Sequence, residues 1–369
     1  MSTRRDLLRG AGALALAAAA RGAPAAPARP RPLRLLVLGG TRFLGLHMTE
    51  IALARGHVVT FFNRGRTNTD RFPQVERIKG DRNGELGGLA GRGWDAVIDN
   101  SGYVPRHVRL AAQLLRASVP HYLFVSTLSV YAGFATPNDE DSPLGTLAEP
   151  ATETVDGATY GPLKALCEAA ARDAYGTGNT TILRPGLIVG PDDNTDRFTY
   201  WPARAARGGR FIAPGRPSDP LQWIDARDLA AFAIDCLERR VTGTFNAVSA
   251  PGRFTIGELV AESVAAARGI AAPAAAAVPA WLPAEFLAAQ KVQPWSDMPV
   301  WLPPEGDTAG FAATRMQRAT VAGLRIRPAA DTVRDTLRWH LSRPAAERAT
   351  LKAGLTPARE AEVLAAWKP

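Results

Sequence analysis

Cysteine is nearly absent from this chain: its 369 residues hold two, Cys167 and Cys236. Two thiols cannot make the dense disulfide framework of small secreted domains. Both fall in stretches of helical pattern and read as buried apolar side chains, although export would leave their pairing open. Histidine is also sparse. The five are scattered (47, 57, 107, 121 and 340) without metal-ligand spacing, so no metal is expected. Only five of the 44 basic residues are lysine. The net charge of +9 therefore reflects an arginine-rich composition. No dense basic run carries interleaved aromatics, so no nucleic-acid partner is expected. Nor does any apolar run reach the ~20 residues that span a bilayer, so no stable membrane insertion is expected.

The opening residues, MSTRRDLLRGAGALALAAAARGAPAAPARP, set Arg4-Arg5 before Leu7-Leu8 and a mild Ala/Leu stretch. This is the layout of a twin-arginine signal, here residues 1–30 with a linker. It implies the twin-arginine export machinery as a partner. It also implies folding in the cytoplasm and a periplasmic or extracellular mature protein.

From Leu33 onward short apolar runs alternate with stretches of helical length. Residues 33–38, 57–62, 75–79, 95–99, 121–125, 180–184 and 244–248 read as strands; 159–176 and 224–240 read as helices. Runs apolar throughout, alternating with helices, predict an α/β fold with a doubly wound parallel sheet buried on both faces. The expected division is a nucleotide-binding domain over 33–190 and 222–250. A smaller lobe and C-terminal helices would comprise 191–221 and 251–369.

Two places carry chemistry. In LRLLVLGGTRFLG (33–45) a strand stops at a glycine turn and a helix starts at once, so backbone N–H groups and the helix dipole face an anion. Gly39 permits the turn and Gly45 lets the helix pack on the strand. About twenty residues on, Phe62-Asn63-Arg64-Gly65 supplies no carboxylate for a ribose. Arg64 could pair with a 2′-phosphate, which favours NADP slightly over NAD. The second place is Tyr160-Gly161-Pro162-Leu163-Lys164. Residues four apart share a helix face. An ammonium beside a phenol lowers its pKa and suits it to acid–base work. Upstream, HYLFVSTLSVYA (121–132) ends a strand at Ser126-Thr127, 33 residues before Tyr160.

In this order and spacing the motifs resemble the extended short-chain dehydrogenase/reductase superfamily, which is NAD-dependent epimerase/dehydratase-like. The resemblance implies a Rossmann fold and NAD(P)-dependent chemistry on an alcohol or carbonyl of a sugar-like small molecule. Tyr160 would be the acid/base, Lys164 would tune it and Thr127 would orient the substrate oxygen, with Ser126 as the nearby alternative. The cofactor would lie on Gly39, Thr41, Arg42, Phe43, Leu44 and Gly45, with Asn63, Arg64, Asp81 and Pro185. Arg42 stands where the family's phosphate loop has its middle glycine. Leu128-Ser129 stand where some dehydratases carry Asp-Glu. Asp225 and Asp228, in QWIDARDLA, read as helix caps. The aromatic cluster of Trp281, Trp295 and Trp301 serves either ligand stacking or loop anchoring. The alternative reading is a non-catalytic nucleotide- or RNA-binding member of the same fold.

Overall fold

The structure is a computed structural model and describes residues 31–273 and 275–368. The proposed signal lies outside the described residues. Residues 32–369 cluster as one compact unit.

Seven strands form the central sheet: β1 (Arg34–Leu38), β2 (Val58–Asn63), β3 (Glu76–Lys79), β4 (Ala96–Asp99), β5 (Tyr122–Val125), β6 (Thr180–Pro185) and β11 (Gly243–Ala247). Each strand boundary lies within one residue of its expected position. The order is β11-β6-β5-β4-β1-β2-β3 and every pairing is parallel. Strand order reverses between β1 and β4, and it is outside the C-terminal ends at such a switch point that doubly wound sheets bind ligands. Those two ends are the Gly39 turn and Asn100-Ser101. Leu36, Leu38, Val97 and Phe124 point to one apolar layer and Leu35, Val37, Ile98 and Leu123 to the other. This is the expected signature of a sheet covered on both faces.

Helix α1 (Leu44–Ala54) follows β1, α2 (Pro105–Leu115) follows β4, and α3 (Tyr160–Tyr175) follows a long excursion after β5. A second apolar core belongs to the lobe, where Trp201, Phe211, Trp223, Phe254, Leu259 and Trp301 are fully or almost fully buried. Trp223 and Phe254 stack at 4.0 Å between ring centroids. The lobe contains a feature absent from the sequence reading: β8 (Gly209–Pro214) pairs in parallel with β13 (Ala277–Leu282). The segment expected wholly in the lobe is also divided. Met316, Ala319 and Leu324, in and beside the helix Gln317–Ala322, pack with the sheet core instead.

Asp225 is the N-cap of the helix Ala226–Arg239 and accepts from Arg227 N at 2.9 Å. Asp228 accepts from Arg327. Asp225 is thus the cap its helix-start position predicts, whereas Asp228 ties the helix to Arg327 instead of capping it. Cys167 and Cys236 are buried free thiols. No described helix is long and apolar enough to cross a membrane.

Candidate active site

The glycine turn is built by close approach. Gly39 and Gly40 hold φ of 106° and 83°, a region that L side chains rarely adopt. A Cβ on Gly45 would lie 2.7 Å from Gly40 Cα and 2.8 Å from Asn100 Nδ2. Thus Gly45 presses α1 onto the turn, as its position in the motif predicts. The next residue but one before it departs from ordinary geometry: Phe43, the N-cap of α1, sits at φ 38°. Among the described residues no protein acceptor takes the amide N–H groups of Gly40, Thr41 or Arg42. These donors, at a helix N-terminus, suit a pyrophosphate.

A crevice of about 550 Å³ opens over this turn, and Gly39, Thr41, Arg42, Asn63, Arg64 and Asp81 all line it. Arg42, Arg64 and Arg66 are exposed at this crevice. Arg64 and Arg66 have no ion-pair partner among the described residues. Asn63 has a structural task as well: it donates to Gly39 O at 3.0 Å and accepts from Gly65 N at 2.9 Å. Asn68 donates to Thr41 O at 2.8 Å, tying the same loop to the turn. Asp81 accepts from Asn83 N at 2.9 Å, which makes a local turn rather than a helix cap. Sequence reasoning missed the crevice floor. Arg82 is bidentate on the fully buried Asp99, which also accepts from Tyr122 Oη at 2.6 Å. Burial opposes ionisation of Asp99, yet Arg82 holds its carboxyl below the usual carboxylate range. Four expected cofactor residues, Phe43, Leu44, Gly45 and Pro185, do not line the crevice. Leu44 is buried in the sheet core, where a leucine at the first helical position belongs. Phe43 lines a second cavity instead.

That second cavity, a chamber of about 540 Å³, is lined by Ser126, Thr127, Tyr160, Pro185 and a largely apolar wall. The chamber thus brings Thr127, Tyr160 and Pro185 together with the alternative Ser126, while Lys164 is not part of its lining. Tyr103, at the edge of the first cavity, lies 6.3 Å from Tyr160 between ring centroids, and adjacent residues Arg42 and Phe43 face the two cavities. The Thr127 side chain caps the short turn Leu128–Val130, accepting from Ser129 N at 3.1 Å. Ser126 Oγ is buried without any partner.

Lys164 departs from expectation. It shares a helix face with Tyr160, but its ammonium is buried and donates to Gly102 O and Val125 O, each at 2.7 Å. Burial lowers its pKa to about 8. The Tyr160 phenol is pushed up by burial and by Tyr103, while a hydrogen bond with Thr127 and the charge of Arg197 pull it down. Lys164 does not acidify this phenol, because two carbonyls at the strand ends hold the ammonium. Four-residue spacing fixes the Cα positions, not the direction of a four-carbon stem.

Downstream, Arg184 is bidentate on the buried Glu168 at 2.9 and 2.7 Å, which fixes the strand delivering Pro185. A Cβ on Gly186 would lie 2.6 Å from Val248. The three tryptophans divide: Trp295 lines the chamber, Trp301 is buried and donates to Asp219 at 2.9 Å, and Trp281 lies elsewhere in the lobe.

A seven-stranded parallel sheet with a glycine turn at its switch point defines a Rossmann-type protein. Residues 35–248 match the family described as the NAD dependent epimerase/dehydratase family. The chain belongs to this family, within the extended short-chain dehydrogenases/reductases. It is 29% identical over 259 residues to the epimerase family protein SDR39U1 of Bos taurus, covering 64% of this chain and 81% of that one. The crystal structure of human SDR39U1 (isoform 2) with NADPH superposes with a TM-score of 0.54 at 22% identity, covering 83% and 99% of the two chains. The Bordetella bronchiseptica enzyme WbmH in complex with NAD+ gives 0.60 at 15% identity, covering 85% and 99%. Both likenesses concern the fold.

Proposed function

We propose that this protein is an NAD(P)-dependent oxidoreductase in which Tyr160 exchanges a proton with the oxygen of a small alcohol or ketone. The observation that carries the reading is Tyr160 lining a chamber beside the glycine-turn crevice. A dinucleotide fits the residues present. Unpartnered turn amides and Arg42 suit its pyrophosphate, while Arg64 and Arg66 suit a 2′-phosphate and favour NADP. Bound, the reduced nicotinamide would supply a hydride, one proton with two electrons, to the carbonyl carbon. Tyr160, held neutral by burial, gives its phenolic proton to the carbonyl oxygen as the C=O double bond becomes a C–OH single bond. Thr127 keeps the phenol in place and Ser126 Oγ offers a free donor to the same oxygen. The reverse sequence oxidises an alcohol, and oxidation followed by reduction on the other face would epimerise it. Lys164, buried one turn from Tyr160, ties the chain at Gly102 to the end of the strand at Val125 behind the phenol.

A sugar-like substrate is what the family resemblance implies, and the lining of the chamber narrows that class below. A twin-arginine leader built on Arg4-Arg5 would carry this chemistry out of the cytoplasm. Fractionation of the full chain supports that placement if the mature protein is periplasmic, and cytoplasmic retention of an uncut chain refutes it.

The test of mechanism is Tyr160→Phe. Single-turnover reduction should fall by about 10³-fold, within the range for loss of a positioned acid. NADPH affinity, read by fluorescence, should stay within about threefold. Unchanged turnover would refute the reading and favour a nucleotide-binding protein without catalysis.

A further inference from the structure

The chamber beside Tyr160 has an uneven chemistry. Its wall includes Phe43, Leu128, Phe134, Leu187, Ile188, Val248, Trp295, Leu302 and Phe311, and Arg197 is its one charged lining residue. Gln222 also faces it, but that amide is spent: it donates to Ser249 O and Thr314 O and accepts from Thr314 N. A free sugar, with a hydroxyl on nearly every carbon, would meet the hydroxyl side chains of Ser126, Thr127, Ser129, Tyr160 and Thr195 but would lay the rest of its polar groups against apolar side chains. A nucleoside diphosphate would bring two or more negative charges to one cation.

Arg197 is mounted as a receptor for an anion. Its Nε donates to Thr195 Oγ1 at 3.1 Å. Thr195 in turn donates from N and Oγ1 to Asp193 Oδ1 at 2.8 and 2.7 Å. Asp193 is buried, so the mount is rigid. The guanidinium lies over the Trp295 ring at 5.6 Å to the centroid. Among the described residues, no acceptor takes its two Nη nitrogens. Trp295 holds φ 68°, fixed by its N–H to Met298 O and Trp301 O. Strain of this kind in a residue without a glycine's freedom collects at ligand sites. Phe311 meets Trp295 edge-on at 5.3 Å and Phe134 at 5.1 Å, which completes an aromatic wall. Ser126 Oγ, buried and unpartnered, is a second polar atom in the lining that no protein group satisfies.

We infer that the substrate is a small monoanionic carbonyl compound or its alcohol: an apolar, flat body bearing one carboxylate, paired with Arg197 and laid against Trp295. Two Nη donors in one plane match a single carboxylate in bidentate fashion, whereas a phosphate dianion would bring two charges to the one cation of the lining. The body of the ligand replaces water along the aromatic wall, and its carbonyl oxygen meets Tyr160 and Ser126. The inference rests on the reading of this chamber as the substrate site of a nicotinamide enzyme.

The experiment uses NADPH-loaded full-length protein and a panel of aryl and alicyclic keto acids, each paired with its methyl ester, together with UDP-glucose. Binding is followed by quenching of tryptophan fluorescence and by calorimetry, and reduction by loss of NADPH. Keto acids should bind at least tenfold tighter than their esters to the unaltered protein, the ratio expected of one charge-assisted pair. Arg197→Gln should abolish that ratio by weakening the acids alone, with ester and NADPH affinities unchanged. Because the acid-to-ester ratio is read first on the unaltered chain, the inference stays open to refutation even if the variant misfolds. Equal binding of acid and ester, or tighter binding of UDP-glucose, overturns the inference and leaves the oxidoreductase reading standing. Failure of the protein to bind either NADPH or NADH overturns both.

Discussion

The two cavities that adjoin at Tyr103 and Tyr160 are nearly equal in size, about 550 and 540 Å³, and opposite in chemistry. The first is made of backbone and cations: a glycine turn with unpartnered amides, then Arg42, Arg64, Arg66 and Arg82. The second is made of rings and aliphatic side chains around one guanidinium. The two residues before α1 are divided between them, Arg42 in the first and Phe43 in the second, and the end of β5 delivers Thr127 to the second. The contrast teaches that recognition is divided. A general anionic ligand is met by groups the fold provides at a helix start, while selectivity is assigned to side chains drawn from distant parts of the chain.

The contrast can be broken first at the turn. Gly45→Ala forces a Cβ to within 2.7 Å of Gly40 Cα. NADPH affinity should fall by about 100-fold and stability by about 1–3 kcal/mol, the usual cost of overpacking. Calorimetry and thermal melts check this, with Gly87→Ala as the silent control, since a Cβ there meets nothing. Normal affinity in Gly45→Ala would show that the turn does not hold the dinucleotide.

A second test lies at the junction. Lys164 titrates near 8 in the folded protein against 10.5 ordinarily. Between those values the unfolded chain binds the extra proton, so stability contributed at this site rises with pH. The stability of the unaltered protein relative to Lys164→Met should therefore increase from pH 8 to 10.5, by about 2 kcal/mol. Chemical denaturation without cofactor measures it; a flat difference would mean the ammonium is not buried as described.

The smallest effect is expected at the rim, where Arg64→Gln with Arg66→Gln should lower the preference for NADPH over NADH by about tenfold. Fluorescence titration with both cofactors decides it. A parallel loss of both affinities would point to the pyrophosphate instead of the 2′-phosphate.

Much of the first cavity was legible in the sequence because it is local. Gly39, Arg42, Asn63 and Arg64 follow the ends of β1 and β2, and apolar runs bounded by glycine located those strands to about a residue. The second cavity was legible only where it touches a strand or helix end, at Thr127, Tyr160 and Pro185. Arg197, Phe134, Trp295 and Phe311 come from loops separated by up to half the chain, and no periodicity ties them together. Leu44 was misplaced because a loop motif does not say which side chains turn inward. The direction of Lys164 was invisible for a related reason: the carbonyls of Gly102 and Val125 that capture it belong to two other strand ends.

Phe43 answers to both cavities at once. Its backbone, at φ 38°, launches the helix that meets the dinucleotide, and its ring forms part of the chamber wall. Anyone reshaping this protein for a new substrate would find that position tethered to cofactor retention. The freer ground for redesign is Trp295, Phe311 and Phe134, whose backbones take no part in the turn.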